Sequence, residues 1–89
     1  MNMMNTEIVK SQVRQYVMDN FLMGQGAKIG DDESFMASHV IDSVGVLELI
    51  AFLEERFRIK VEDDEMIPDN LDSLNGVGRY LARKLHGAN

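Results

Sequence analysis

Ser43 is the residue of this chain best suited to chemistry, and Asp42 stands directly before it. The pair closes an irregular stretch and opens a run over residues 44–57 with no proline and only Gly45 as glycine. Serine and aspartate favour a helix start because their oxygens accept from first-turn N–H groups that lack a partner. Either residue can serve simply as that cap. A helix start also favours negative charge, by about 0.3–1 kcal/mol when exposed. A phosphate esterified to Ser43 would therefore meet free N–H groups and a favourable dipole together. Little else in the sequence is reactive. Cysteine is absent, and His39 and His86 are far apart with no Cys or helical His partner. Both read as surface residues, although His39 is near enough to Ser43 in sequence to touch what that serine carries or a partner. No nucleophile, base and orienting group can be assembled, so the chain reads as a non-enzyme, and any thiol its function needs has to come from a cofactor.

The helix that Ser43 opens is expected over residues 43–57. At about 100° per residue, Val46, Leu49, Ile50, Leu53 and Phe57 share one sector, an ordinary buried stripe. Val44, Leu47 and Ala51 fall opposite, together with Glu48 and Glu55, while Phe52 and Glu54 lie at the flanks. This second face can bury against another helix or remain open to partners. The carboxylates mixed into it favour exposure, because glutamate is rarely buried unpaired. An apolar strip edged with acid suits a basic partner with an apolar centre.

The remaining elements position this helix. Asn5 or Thr6 caps a first helix over about residues 7–22, with Val9, Val13, Tyr16, Val17 and Phe21 facing inward. Gly24, Gly26 and Gly30 then open a long loop that ends at Asp42, anchored by Phe35, Met36 and Val40. A loop of this length in a small fold is often functional. Ile59 and Val61 alternate like a strand, but one short strand has nothing to pair with, so they read as an extended linker with both side chains tucked in. A helical turn is expected over residues 63–67, and Pro68 ends it or begins the next. Ser73 caps a last helix over about residues 74–86, with Leu74, Val77, Leu81 and Leu85 inward; Gly76 and Gly78 weaken it by about 1 kcal/mol each relative to alanine. Asp31-Asp32-Glu33 and Glu62-Asp63-Asp64-Glu65 lack the alternating ligands and central glycine of a calcium loop, and they read as solvated charge with no metal. The methionines show no stripe and read as packing and tail.

Taken together, Asp42-Ser43-Val44, Glu48 five residues after the serine, and Leu53-Glu54-Glu55 before Phe57 resemble the acyl carrier protein family and its peptidyl carrier relatives. The likeness runs on through Arg58-Ile59-Lys60-Val61, the acidic stretch 62–65 and Leu71-Asp72-Ser73-Leu74, and covers about residues 8–85. The family's Asp-Ser-Leu is Asp-Ser-Val here. The resemblance implies an all-α bundle of three main helices with short helical segments between them. It implies that Ser43 accepts 4′-phosphopantetheine from coenzyme A through a separate phosphopantetheinyl transferase that uses magnesium, with Asp42 presenting the serine. The arm's thiol would then hold acyl cargo as a thioester. Val44, Leu47, Glu48, Ala51, Glu54 and Glu55 would meet the transferase, an acyl- or aminoacyl-loading ligase or transferase, and downstream acyl-processing enzymes. Fatty-acid, lipid or polyketide biosynthesis is the first expectation, and a discrete aminoacyl or peptidyl carrier is the alternative. The residue two after the serine is often acidic in fatty-acid carriers and is Gly45 here, which leans towards a specialised lipid, polyketide or aminoacyl pathway. The reading from another class is a helical interaction module that needs Ser43 only as a cap.

Bulk properties set the bounds. The 89 residues suit one domain with a modest core, spanning 1–89 with residues 1–5 and 87–89 flexible. At 45% apolar and 27% charged residues the chain has enough apolar surface to fold. A net charge of −6 opposes nucleic acid, which needs a basic footprint, and favours steering towards positive partners. No secretory or membrane segment is visible, so a cytoplasmic monomer is expected.

Overall fold

A computed structural model describes residues 6–22 and 29–86. Among these the backbone forms α1 (Thr6–Val17), α2 (Ser43–Phe57), a short α3 (Pro68–Leu71) and α4 (Leu74–Leu85), with no strand. A π-helical turn, Met18–Leu22, continues α1, and a 3₁₀ turn, Asp63–Glu65, precedes α3. The expected all-α bundle is therefore observed. The expectations for residues 1–5 and 87–89, for Gly24 and Gly26, and for an Asn5 cap lie outside the described residues. Thr6, the other candidate cap, is already the first residue of α1.

One core gathers the inward faces of the helices. Val9, Val13 and Val17 form the stripe of α1, and Leu49, Ile50, Leu53 and Phe57 that of α2, with Val46 half-buried beside them. Leu74, Val77 and Leu81 do the same for α4. Val61 is buried and Ile59 half-buried, as an extended linker with inward side chains requires. Three positions depart from expectation. Leu85 lies in the last turn of α4, beyond the reach of the core, and is exposed. Tyr80 fills the core instead, because its hydroxyl donates to Glu65 Oε1 at 2.8 Å and so keeps a partner when the ring is buried. Met36 is 44% exposed. Its N–H is held by Asp72 Oδ1 at 3.0 Å, and the buried anchors of the loop are Ile29, Phe35 and Ile41, with Val40 half-buried.

The acidic loops are built into the fold rather than merely solvated. Lys10, buried on α1, donates to Asp31 Oδ2 at 2.9 Å, and Arg14 donates to the other oxygen of Asp31 and to the Ile29 carbonyl. The Lys10 bond, with Arg14 second, holds the Asp31 carboxyl below its ordinary range. Asp32 accepts from Asn75, and Glu33 accepts from the Gly30 N–H. Glu65 accepts from the Glu62 N–H, Tyr80 and Lys84, which joins the 3₁₀ turn to α4.

The glycines of α4 allow close approach. A Cβ on Gly78 would lie 2.8 Å from Lys10 Cγ, and one on Gly76 only 2.6 Å from the Asp69 carbonyl oxygen. The helix-propensity cost at these positions is thus offset by contact with α1 and α3. Gly76→Ala gains about 1 kcal/mol of helix propensity but forces a backbone oxygen to move, which costs about 1–3 kcal/mol as overpacking. The expected result is a thermal midpoint lower by about 5 °C, read by circular dichroism.

Glu65 gives a second test. The Glu62 N–H first, then Tyr80 and Lys84, hold its carboxyl down from 4.5 to about 2. A depressed carboxylate contributes stability that is complete above the unfolded value and lost as pH falls through the folded one. Thermal midpoints should fall across the window from 4.5 to about 2, and Glu65→Gln should flatten that decline while lowering the midpoint at neutral pH.

Candidate functional site

The long loop reaches α2 through Ile41, which is buried, and Asp42, whose backbone is extended (φ −96°, ψ −175°). Asp42 is the N-cap. Its Oδ1 accepts from the Gly45 N–H at 2.7 Å, and its carbonyl accepts from Val46 N at 3.0 Å. The sequence left the cap open between Asp42 and Ser43, and the structure gives it to Asp42. Ser43 is therefore the first helical residue, exposed, and no hydrogen bond to its hydroxyl is found among the described residues. A helix start leaves its first N–H groups without intrahelical partners; with Gly45 N–H taken by Asp42, those of Ser43 and Val44 remain to meet an anion. An exposed uncommitted hydroxyl beside such donors fits a phosphodiester-linked group.

Of the residues expected to meet partners, Val44 (65% exposed), Leu47 (62%), Glu48, Ala51 and Glu55 are all open to solvent on α2. Glu54 stands apart. It is half-buried, and one carboxylate oxygen accepts from the Val61 N–H at 2.9 Å, pinning the linker that follows α2. His39 is exposed and adopts a left-handed backbone (φ 62°), with its N–H donating to the Met36 carbonyl. Its visible contribution is to turn the chain back towards Ile41.

A groove was missed by the sequence reading. Val46, Leu47 and Ile50 of α2 form one wall, Met66, Ile67, Pro68 and Leu71 the other, with Met36 and Asp72 at the loop side, around about 380 Å³. Val46 and Leu47 lie three and four residues after Ser43, on its side of the helix, so the groove begins one turn from the serine. The available signal was Met66-Ile67-Pro68, an apolar step at the end of an acidic run. Among the described residues no group of three or more His, Cys, Asp or Glu is placed to hold a metal ion, and no helix is long and apolar enough to cross a membrane.

Comparison with known proteins adds an independent line. No family model matches the chain. It is 35% identical over 69 residues to the D-alanyl carrier proteins of Streptococcus gordonii and Streptococcus thermophilus, which covers 78% of this chain and 85% of each relative.

The cap can be separated from the charge. Asp42→Ala should lower stability by about 1 kcal/mol, or roughly 4–8 °C in thermal midpoint. Asp42→Asn, which still accepts from the Gly45 N–H, should stay within a few tenths of a kcal/mol of the parent. Equal midpoints for the Ala and Asn variants would show that the cap contributes nothing.

Proposed function

The chain belongs to the phosphopantetheine-dependent carrier proteins related to acyl carrier proteins, and from that premise we propose that Ser43 bears the arm and that its cargo is an aminoacyl group. Carriers of this family hold their cargo on a covalently attached 4′-phosphopantetheine, which supplies a thiol at the end of a flexible tether, and they catalyse nothing themselves. The observation that carries the serine assignment is the division of labour at the start of α2. Asp42 takes the cap, so Ser43 keeps an exposed hydroxyl next to helix N–H groups. Asp42 presents that serine by fixing the first turn.

The cargo reading rests on the relatives, which are named for D-alanine. Fatty-acid or polyketide cargo gives way to the aminoacyl alternative. The groove beside Ser43 is compatible with this. Its mostly apolar walls suit the uncharged parts of an arm, and Asp72, the one carboxylate that lines it, is already engaged by Ser34 and Met36, so an ammonium group would be costly to bury there. The aminoacyl end then stays in water, where the enzymes that load and unload it can read it. Val44, Leu47, Glu48, Ala51 and Glu55 form the surface those enzymes meet: a phosphopantetheinyl transferase, an aminoacyl-loading ligase and an enzyme that takes the aminoacyl group onward. Glu54 contributes at the edge, with one oxygen committed to Val61. An apolar strip with exposed carboxylates gives contacts that are quick to form and weakened by salt, which suits a protein that must leave each enzyme for the next.

The test is intact-protein mass after incubation with coenzyme A, magnesium and a broad-specificity phosphopantetheinyl transferase. One phosphopantetheinyl group should appear on the wild type and none on Ser43→Ala. The loaded protein, offered ATP with an adenylating ligase, should then gain D-alanine in preference to a fatty acid. No gain on the wild type, with the transferase active on a control carrier, would refute the assignment of Ser43.

A further inference from the structure

Gly45 is buried two residues after the exposed serine, and one of the side chains against it, Phe21, comes from a distant part of the chain. A Cβ at this position would stand 2.9 Å from Phe21 Cε1 and 2.9 Å from Ile41 Cγ2. The first turn of α2 is therefore seated on the Phe21 ring, and only a residue without a side chain permits that height. Phe21 reaches this place because α1 ends in a π turn, Met18–Leu22. On a regular α-helix, residues five apart diverge by roughly 140°; the wider i→i+5 turn brings them closer to one side. Phe21 accordingly meets Tyr16 edge to face, with centroids 5.9 Å apart and planes at 73°. Tyr16 lies flat on Phe52 of α2, with centroids 4.0 Å apart and planes at 10°, and its hydroxyl donates to the Glu48 carbonyl at 3.3 Å. The two helices are thus keyed by aromatic rings, and the ring at the serine end is Phe21.

We propose that Phe21, carried by the π turn, is a positioning residue for Ser43, setting the height and direction of the attachment hydroxyl for the enzyme that loads it. The proposal rests on the reading of Ser43 as the attachment residue. In loading, Ser43 Oγ forms an ester bond to the β-phosphorus of coenzyme A. The pyrophosphate bond breaks, adenosine 3′,5′-bisphosphate leaves, and the hydroxyl proton passes to a base on the transferase. Such an in-line displacement is sensitive to the placement of the attacking oxygen; misplacement by about 1 Å can cost two orders of magnitude in rate. The outward face of α2 is untouched by Phe21, so encounter with the transferase should be preserved while turnover falls.

The experiment compares wild type, Phe21→Leu, Phe21→Ala and a control, Val77→Ala, which opens the core on α4 away from the site. Each full-length protein is loaded by a broad-specificity transferase with coenzyme A and magnesium, at a temperature where circular dichroism shows it folded. Phe21→Ala should lower kcat about tenfold with KM for the carrier changed less than about twofold, and Phe21→Leu should fall between it and wild type. Hydrogen exchange of the Gly45 and Val46 amides should quicken about tenfold in Phe21→Ala and stay near wild type in Val77→Ala. If Phe21→Ala does not fold, Phe21→Leu carries the same comparison. A kcat loss in the Phe21 variants no larger than in Val77→Ala, or Gly45 exchange no faster, overturns the seat while leaving Ser43 loaded. Absence of loading on the wild type instead refutes the attachment reading, and the exchange rates still report whether Phe21 holds the first turn.

Discussion

Phe35 is the knot that holds the long loop to the helices. Its ring is buried, its N–H donates to the Asp72 carbonyl at 2.8 Å, and its own carbonyl accepts from Val40 N at 2.9 Å and Ile41 N at 3.2 Å. Asp72 closes the knot by accepting from Ser34 Oγ and from Met36 N with its carboxylate. A stretch without regular secondary structure must find partners for its polar backbone wherever it is buried, and here the α3–α4 junction supplies them. The consequence reaches the serine. Once Phe35 is fixed, Ile41 is drawn into the core, and Asp42 follows it at the position where a cap is needed. An exposed hydroxyl is thereby held at the end of a loop that would otherwise be free to wander.

The parts of the fold carried by periodicity were legible in the sequence. The boundaries of α2 agree with expectation because the apolar stripe, the Asp-Ser start and the absence of proline all point to the same span. Ser73 as the cap of α4 was readable for the same reason, and its Oγ accepts from Gly76 N at 3.0 Å. Long-range contacts were not legible. Nothing local says that Tyr80 rather than Leu85 closes the core, because the choice depends on Glu65 arriving from another element. The apolar groove was hidden for a similar reason. Its walls come from α2, the residues around α3 and Met36, none of which lies next to another in sequence. Phe21 was visible as an inward apolar position of the first helix expected over residues 7–22, but its contact with Gly45 was not, since it depends on a π turn that no simple repeat announces.

The charge of the chain divides into two populations with different work. Asp31, Asp42, Asp72 and Glu65 are committed to partners within the chain: Lys10 and Arg14, the cap, the loop and Tyr80. Glu48 and Glu55 face outward on α2. Net charge alone therefore overstates the acid available to partners and understates how much of it organises the fold. The outward carboxylates share the exposed side of α2 with Val44 and Leu47, the surface proposed above for partner enzymes.

Gly45 shows how a residue that looks like a message to partners can be a requirement of packing. Read from the sequence, a glycine where an acidic residue is common in fatty-acid carriers points to partners of a specialised lipid, polyketide or aminoacyl pathway. In the structure the position is buried, and a side chain there would collide with Ile41 and Phe21 before it reached solvent. Any acidic residue at this point would need the first turn of α2 to rise or to rotate. The change at Gly45 and the π turn of α1 are then two halves of one arrangement. The missing side chain lets the helix settle onto the ring, and the wider turn brings the ring to where it can settle. On the proposed reading of Ser43 as the attachment residue, the settled turn also sets the direction in which the serine faces the enzyme that loads it.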